Sequence, residues 1–354
     1  MVAIFTTAEE LNNICRVPNK TPWQDMILKL GEVFVDSKVD IPLDFEDPLF
    51  ILDAAIKIDT SKMDYINSIA EAPAKVLEEP CGIFILNIDE NKAYDIQTKY
   101  GVICLSKDKM EHTILTQKGT SAVLIENELG KTWHDIFRKF KSTPTNSTLV
   151  IDAHLFENDA FDETAGSYDS RRNYGISNLF DVLNEILPTY FSDVYHVGVL
   201  LTNTDEAKTL RRSRTNLTNK QIATAINKLK NRLQRPYEIN IEVIFFSPSD
   251  NDTHKLIHNR RILTNTYILD APYKLAAFNS DGTSRASQKL TLEPLFELIH
   301  IDSESDMNEK RLRYDLDDLY GYVELQCKNN PTGVLYQNGV LKNSFYHIKH
   351  RFLT

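Results

Sequence analysis

The pattern of apolar and polar positions is clearest in the second half of the 354-residue chain. Thr148-Leu-Val-Ile-Asp152 is an apolar run of strand length. Ile176, Leu179, Phe180, Leu183, Ile186, Leu187 and Tyr190 then recur at 3.6-residue spacing and mark one face of a helix. Val197–Leu201 is the next strand. Thr218-x-x-Gln221 reads as a capping box, and Ile222, Ala225, Ile226, Leu229 and Leu233 form the stripe of the helix it opens. Ile239–Phe246 is strongly β-prone. The sum is βαβαβ, whose right-handed crossovers imply a parallel sheet covered by helices. Beyond it, Ile262–Leu269 and Tyr273–Phe278 read as successive strands without a long helix between them. A helix over Met307–Gln326 and a polar tail ending in Leu341–Leu353 complete the pattern.

The first 145 residues are more mixed. Leu49–Ala54, Gly82–Ile88 and Gly101–Ser106 predict short buried strands, and Ser121–Ile125 a further one. Lys62–Glu79 is helical in composition, with Pro73 kinking or ending it, and Lys131–Lys141 predicts another helix. The polar connector Lys141-Ser-Thr-Pro-Thr-Asn-Ser147 is the expected boundary. The expected class is α/β: an acidic mixed α/β accessory domain over residues 1–145, then a βαβαβ sheet with a β-rich extension over 146–354.

Composition adds little to this picture and charge adds more. With 42% hydrophobic and 25% charged residues the chain is ordinary for a globular protein, and 12 glycines argue against collagen-like, solenoid or Gly-rich phosphate-loop designs. Cys15, Cys81, Cys104 and Cys327 form no C-x-x-C pair and fit a reducing compartment better than disulfides or a zinc site. The first residues lack the pattern of a signal peptide, and no run approaches the roughly 20 apolar residues of a membrane span, so the expectation is a cytoplasmic protein. The net charge of −10 is uneven: residues 1–200 carry 32 acidic against 18 basic residues, and residues 201–354 carry 18 against 22. Two modules with different partners would produce this asymmetry, and so would two solvated surfaces.

The most informative motif is His258-Asn-Arg260-Arg-Ile-Leu-Thr-Asn265, which reads His-x-Arg-x4-Asn. The spacing is that of the phospholipase D signature, His-x-Lys-x4-Asp. In such a site one His attacks phosphorus, a second protonates the leaving oxygen, and the Lys neutralises growing phosphate charge. The Asp orients the His. His258, Arg260 and Asn265 are therefore the candidate catalytic residues, with His258 and Arg260 on one strand face. Arg260 is a competent phosphate clamp because its fork donates two parallel hydrogen bonds. Asn265 carries no charge to stabilise an imidazolium; in a serine protease the analogous Asp-to-Asn change costs roughly 10⁴ in rate. His347-Ile-Lys349 repeats only the first half of the motif, with Thr354 where the acid would stand.

The segment His258–Ile268 resembles the phospholipase D-like fold, in the degenerate single-motif form found at the C-terminus of MIT-domain proteins. The resemblance implies a domain that dimerises to bring two motifs together and binds phosphate groups, phosphoinositide headgroups among them, without established hydrolysis. Two departures stand out. Asn259 replaces an acidic residue, and Leu269-Asp-Ala-Pro-Tyr273 replaces a Gly-rich turn. No MIT helical bundle is evident upstream. By analogy with similar one-motif domains, the setting would be microbial defence or a mobile element.

Two other constellations bear on function. Lys208, Arg211, Arg212, Arg214, Lys220, Lys228, Lys230, Arg232 and Arg235 run without an acidic interruption, and read either as phosphate contacts for nucleic acid or as the solvated face of a helix. Asp152, Asp205 and Asp250 (or Asp252) lie at the carboxyl ends of three successive strands, where ligands of open α/β sheets bind. Converging there, they would hold Mg²⁺ for phosphodiester hydrolysis, as in a PIN- or NYN-like nuclease. The acidic loop Glu157–Glu163 lacks the spacing of a calcium site and reads as solvated, while Trp133, His134 and His196 read as core residues.

These observations define the expectations. Foremost is a phosphate-binding protein without cofactor whose partner is nucleic acid. A nuclease or phosphodiesterase (with Mg²⁺, or with His258 across a homodimer) and an anionic-lipid-binding or purely structural protein are the alternatives.

Overall fold

A computed structural model describes residues 3–16, 24, 27, 32–44, 46–106, 121–125, 132–141, 143–157, 159–162, 167–168, 174–212, 215–249, 257–258, 260–279, 283, 288–294, 321 and 333–354. The chain first alternates β1 (Ile4–Thr6), α1 (Ala8–Cys15), β2 (Glu32–Val35), α2 (Pro48–Ala55), β3 (Lys57–Asp59), α3 (Met63–Ile69), β4 (Ile83–Leu86), α4 (Glu90–Tyr100) and β5 (Ile103–Ser106). The five strands form one parallel sheet in the order β3-β2-β1-β4-β5. Every second residue enters a different core. Phe5, Phe34 and Phe84 are register partners whose rings stack at 5.2 and 5.1 Å, an offset ladder against Ile66, Ile69 and Ile96 of α3 and α4. Ile4, Val33, Ile83 and Ile103 point the other way, against Leu11 and Ile14 of α1.

The second sheet draws on β6 (Ser121–Ile125), β7 (Ser147–Ile151), β10 (Tyr195–Thr202), β11 (Ile239–Phe246), β12 (Arg261–Thr264), β13 (Tyr267–Asp270), β14 (Gln288–Pro294), β15 (Val334–Gln337) and β16 (Val340–Lys342). The two-residue strands β8 (Phe161–Asp162) and β9 (Ser167–Tyr168) pair only with each other. Helices α5 (Trp133–Phe137), α6 (Tyr174–Ile186), α7 (Thr204–Thr209) and α8 (Asn219–Leu233) complete the unit. The order is β16-β15-β11-β10-β7-β12-β13-β14-β6. β7, β10 and β11 are mutually parallel, as the βαβαβ pattern predicts, and antiparallel strands flank them on both sides. Thr218 and Gln221 form the predicted capping box.

α5, α6 and α8 cover one face of this sheet. On the other, Leu149, Ile151, Leu200, Ile244 and Phe246 share a single core with Ile4, Leu11 and Ile83 of the first unit. The expected division at residue 145 falls inside the second unit, because β6 pairs with β14 and α5 packs in the core of α6.

Three expected elements differ. Leu49–Ala54 is helical, not a strand; a short apolar run fits either state when flanking turns do not decide. Ile262–Leu269 is a hairpin, broken at Asn265-Thr266, rather than one strand. Tyr273–Phe278 is a loop. The helix expected over Met307–Gln326 lies outside the described residues except Gly321, as does Cys327. Cys15, Cys81 and Cys104 are buried free thiols. No helix among the described residues is long and apolar enough to cross a membrane.

The segment after β16 is anchored rather than solvated. Glu242, fully buried in β11, accepts hydrogen bonds from the backbone N–H of Lys349 (2.8 Å) and His350 (3.1 Å) and from the side chains of Gln337 (3.0 Å) and Asn240 (3.3 Å). His350 is also fully buried. Its Nδ1 accepts from Phe352 N–H (3.2 Å), which leaves Nε2–H to donate to Thr148 O (3.0 Å). Gly198 makes room for this ring: an added Cβ would meet Leu149 at 2.5 Å and His350 at 3.2 Å.

Candidate functional site

β7 is buried along its whole length, and its carboxyl end delivers Asp152 to the rim of the sheet. The Asp152 carboxylate has no exposure. It accepts from His154 N–H (2.9 Å), an Asx turn that folds the chain back, and from Leu275 N–H (3.1 Å). Arg260 Nε lies 3.5 Å from its Oδ1, a charge contact rather than a well-formed hydrogen bond. Burial pushes the Asp152 carboxyl above its ordinary pKa, while the two backbone N–H groups and then Arg260 pull it down. Arg260 also donates to Pro272 O at 3.3 Å. The Asx turn places the His154 ring against that of His258, with centroids 4.6 Å apart and planes at 59°. His154 Nδ1 lies 2.9 Å from Glu157 Oε1.

The three residues of the sequence motif do not converge. His258 sits in a helical turn, Arg260 just before β12, and Asn265 in the turn beyond β12. The antiparallel register sets Arg261 opposite Ile151 and Thr264 opposite Thr148, so His258 and Arg260 lie at one end of β7 and Asn265 at the other. Four strand residues separate the two ends by about 13 Å. Asn265 is a structural residue: buried, it accepts from Asn146 N–H (3.0 Å) and donates to Gly101 O (2.8 Å), joining the two units. Gly101 holds φ at +60°, and a Cβ there would lie 2.0 Å from Thr145 O.

Of the proposed carboxylate set, two members lie among the described residues, and both serve local backbone contacts. Both oxygens of Asp152 accept backbone N–H groups, and Asp205 caps α8 through Asn219 N–H (3.3 Å). Asp250 and Asp252 lie outside the described residues, among which no group of three or more His, Cys, Asp or Glu could hold a metal ion. In the acidic loop, Asp159 is buried and accepts from Gly175 and Ile176 N–H (2.7 and 3.0 Å), capping α6 rather than facing solvent. Trp133 is core, donating to Asn178 Oδ1, whereas His134 is exposed beside Glu185. His196 is half-buried, and burial lowers its pKa to about 4.

The basic stretch divides. Lys208 donates to Asn216 O and Leu217 O, Lys230 to Asn338, and Arg235 to Asn184 and Leu187, while Arg232 stacks on Phe180 at 4.2 Å. Arg211, Arg212, Lys220 and Lys228 are exposed, and Arg214 lies outside the described residues.

Arg212 and His154 line one small, solvent-open cavity of about 40 Å³, between the carboxyl ends of β7 and β10, room for a few water molecules or one small anion. Glu157, Thr202 and Thr204 add polar atoms, and Phe156, Leu201 and Ile222 apolar ones. Thr202 Oγ1 is buried without a hydrogen-bond partner among the described residues. The sequence pattern marks neither His154 nor Glu157 as a site residue: His154 matches no motif, and Glu157 falls in the acidic loop expected to be solvated. The usable signal was position, since both follow within five residues of Asp152 at a strand's carboxyl end.

The first sheet has a switch point between β1 and β4, the usual ligand position in a doubly wound sheet. There the amino end of α1 is already capped by Thr7 and by Asp36 Oδ1, 2.8 Å from Ala8 N, and Glu9 pairs with Asn87. An anion would meet carboxylates. The fold and cleft thus define a two-sheet α/β protein with its cationic rim on the second sheet. No protein-family model matches the chain, and no curated protein is significantly similar to it.

Proposed function

We propose that the cleft at the carboxyl ends of β7 and β10 binds phosphate groups, those of nucleic acid ahead of those of anionic lipid. One observation carries the reading: His154, packed on His258, and Arg212, from the exposed basic loop, line the same cavity. A guanidinium fork and an imidazole are both suited to phosphate oxygens, and the buried Thr202 hydroxyl is a further donor. Arg260, tethered to Asp152 and Pro272 O, supports the site's charge without leading it. The resemblance of His258–Ile268 to the phospholipase D-like fold points to the same ligand chemistry, with Asn265 taking no part. In this reading the first unit scaffolds the second sheet and docks a partner, and a microbial defence or mobile-element setting rests on the resemblance alone.

Fluorescence anisotropy with labelled single-stranded DNA at several salt concentrations tests it. Arg212→Ala is expected to weaken binding and to reduce the salt slope by about 0.7 for the lost contact. Arg232→Ala, which removes a side chain stacked within the fold, leaves the slope unchanged. No binding at low salt, or a wild-type slope in Arg212→Ala, sinks the reading.

A second reading, phosphodiester hydrolysis, is favoured by the contact between His154 and His258, with Glu157 on His154 Nδ1. One chain then holds the nucleophile and the acid that such chemistry divides between two imidazoles, with no second copy needed. Cleavage that survives EDTA and disappears in His154→Ala and in His258→Ala would establish it.

A further inference from the structure

The loop after β13 is pinned to the cleft on both sides of a short exposed tip. Ala271 N–H donates to Arg260 O (2.9 Å), Arg260 donates to Pro272 O (3.3 Å), and Leu275 N–H donates to Asp152 (3.1 Å). Beyond the tip Ala276, Ala277 and Phe278 are buried, and Phe278 bonds Asn178 through both its N–H and its carbonyl. Between the anchors stand Tyr273 and Lys274. Tyr273 is 60% exposed, and Lys274 Nζ lies 5.4 Å from its ring centroid.

Resting on the phosphate-binding reading of the cleft, we infer that Tyr273, flanked by Lys274, is a stacking platform for a nucleobase, so that the ligand is single-stranded nucleic acid. An aromatic face with an adjoining cation, next to a phosphate site, is the combination by which single strands are held, because every base offers a π-face while its backbone offers charge. A lipid headgroup or free phosphate has no face to stack, and a duplex hides its own. The anchors at Pro272 and Leu275 place the platform before the ligand arrives, so little ordering cost falls on binding.

Anisotropy with two oligomers of equal length, oligothymidylate and an abasic sugar-phosphate chain, tests the assignment on the full chain. Wild type is expected to bind oligothymidylate roughly tenfold to a hundredfold more tightly than the abasic chain. Tyr273→Ala and Tyr273→Leu should remove that advantage and leave abasic binding unchanged, while Tyr273→Trp keeps it. Arg212→Ala should weaken both oligomers alike. Equal wild-type affinity for the two oligomers, or an undiminished preference in Tyr273→Ala, overturns the platform and leaves the phosphate cleft standing. Failure of wild type to bind either oligomer overturns both.

Discussion

Replacing Asn265 by aspartate, which completes the acidic position of the His-x-Arg-x4-Asn motif, is expected to cost about 4 kcal/mol of stability and to confer no activity. In the native protein the side-chain amide donates to Gly101 O at 2.8 Å and its oxygen accepts from Asn146 N–H at 3.0 Å. A carboxylate keeps the second bond and turns the first into an anion facing a carbonyl oxygen, at a position only 2% exposed. Burial and that carbonyl raise the new carboxyl's pKa in the folded state. The folded variant therefore holds its proton where the unfolded chain has released it. The deficit is small near the unfolded value of about 3.9, and it grows as pH rises through the folded value. Denaturant midpoints of wild type and Asn265→Asp at pH 4 and pH 7.5 measure this directly. A variant as stable as wild type at pH 7.5, or one that cleaves labelled DNA, would return Asn265 to the site.

Acidification should destabilise the wild-type protein through His350. Burial first, then neighbouring His196, lower its pKa from 6.5 to about 3, and its hydrogen bonds require the neutral ring. The unfolded chain takes up the proton near pH 6.5 and the folded one does not. Stability is thus complete above that value and falls as pH drops toward the folded value, by roughly 3 kcal/mol between about pH 6.5 and pH 4. His196, lowered to about 4, adds in the same direction. Glu242 opposes both, because burial raises its carboxyl pKa and the folded state gains its proton first. His350→Gln should lose some stability at pH 7 but show a flatter profile below pH 6.5, and Glu242→Gln a steeper one. An unchanged slope in His350→Gln would show that the ring does not control acid sensitivity.

What the sequence made legible follows from length and periodicity. β7, β10 and β11 are apolar runs of five to eight residues separated by helices of 13 and 15 residues, long enough for the two periods to be told apart. β1 and β3 are three residues each, too short for a run to register, and they pair only because neighbours far along the chain hold them. Asn338-Gly339 was a stronger signal left unread: both residues have positive φ, the condition of the tight turn joining β15 to β16. The candidate site was half legible. His258 and Arg260 stand on the cleft, but the motif's spacing says nothing about register. It is pairing with β7 that carries Asn265 to the opposite end. His154 belongs to no pattern with His258; only the fold brings residues 104 positions apart into ring contact.

The shared core has a practical meaning for anyone dividing this protein. Leu149 and Ile151 of β7 face the first unit and Val150 faces the helices, and β10 and β11 alternate in the same way. Excising residues 1–106 would strip Ile4, Leu11, Val33 and Ile83 from the core that Leu149, Ile151, Leu200, Ile244 and Phe246 share. The segment around Phe345, Ile348 and Phe352 would remain as partial cover, with the rest of that apolar face in water. The two sheets are therefore expected to melt as one body, and a scanning calorimeter should record a single heat-absorption peak; two resolved peaks would show that the shared core does not couple them. Neither half can be traded for a foreign domain without redesigning the face it leaves behind.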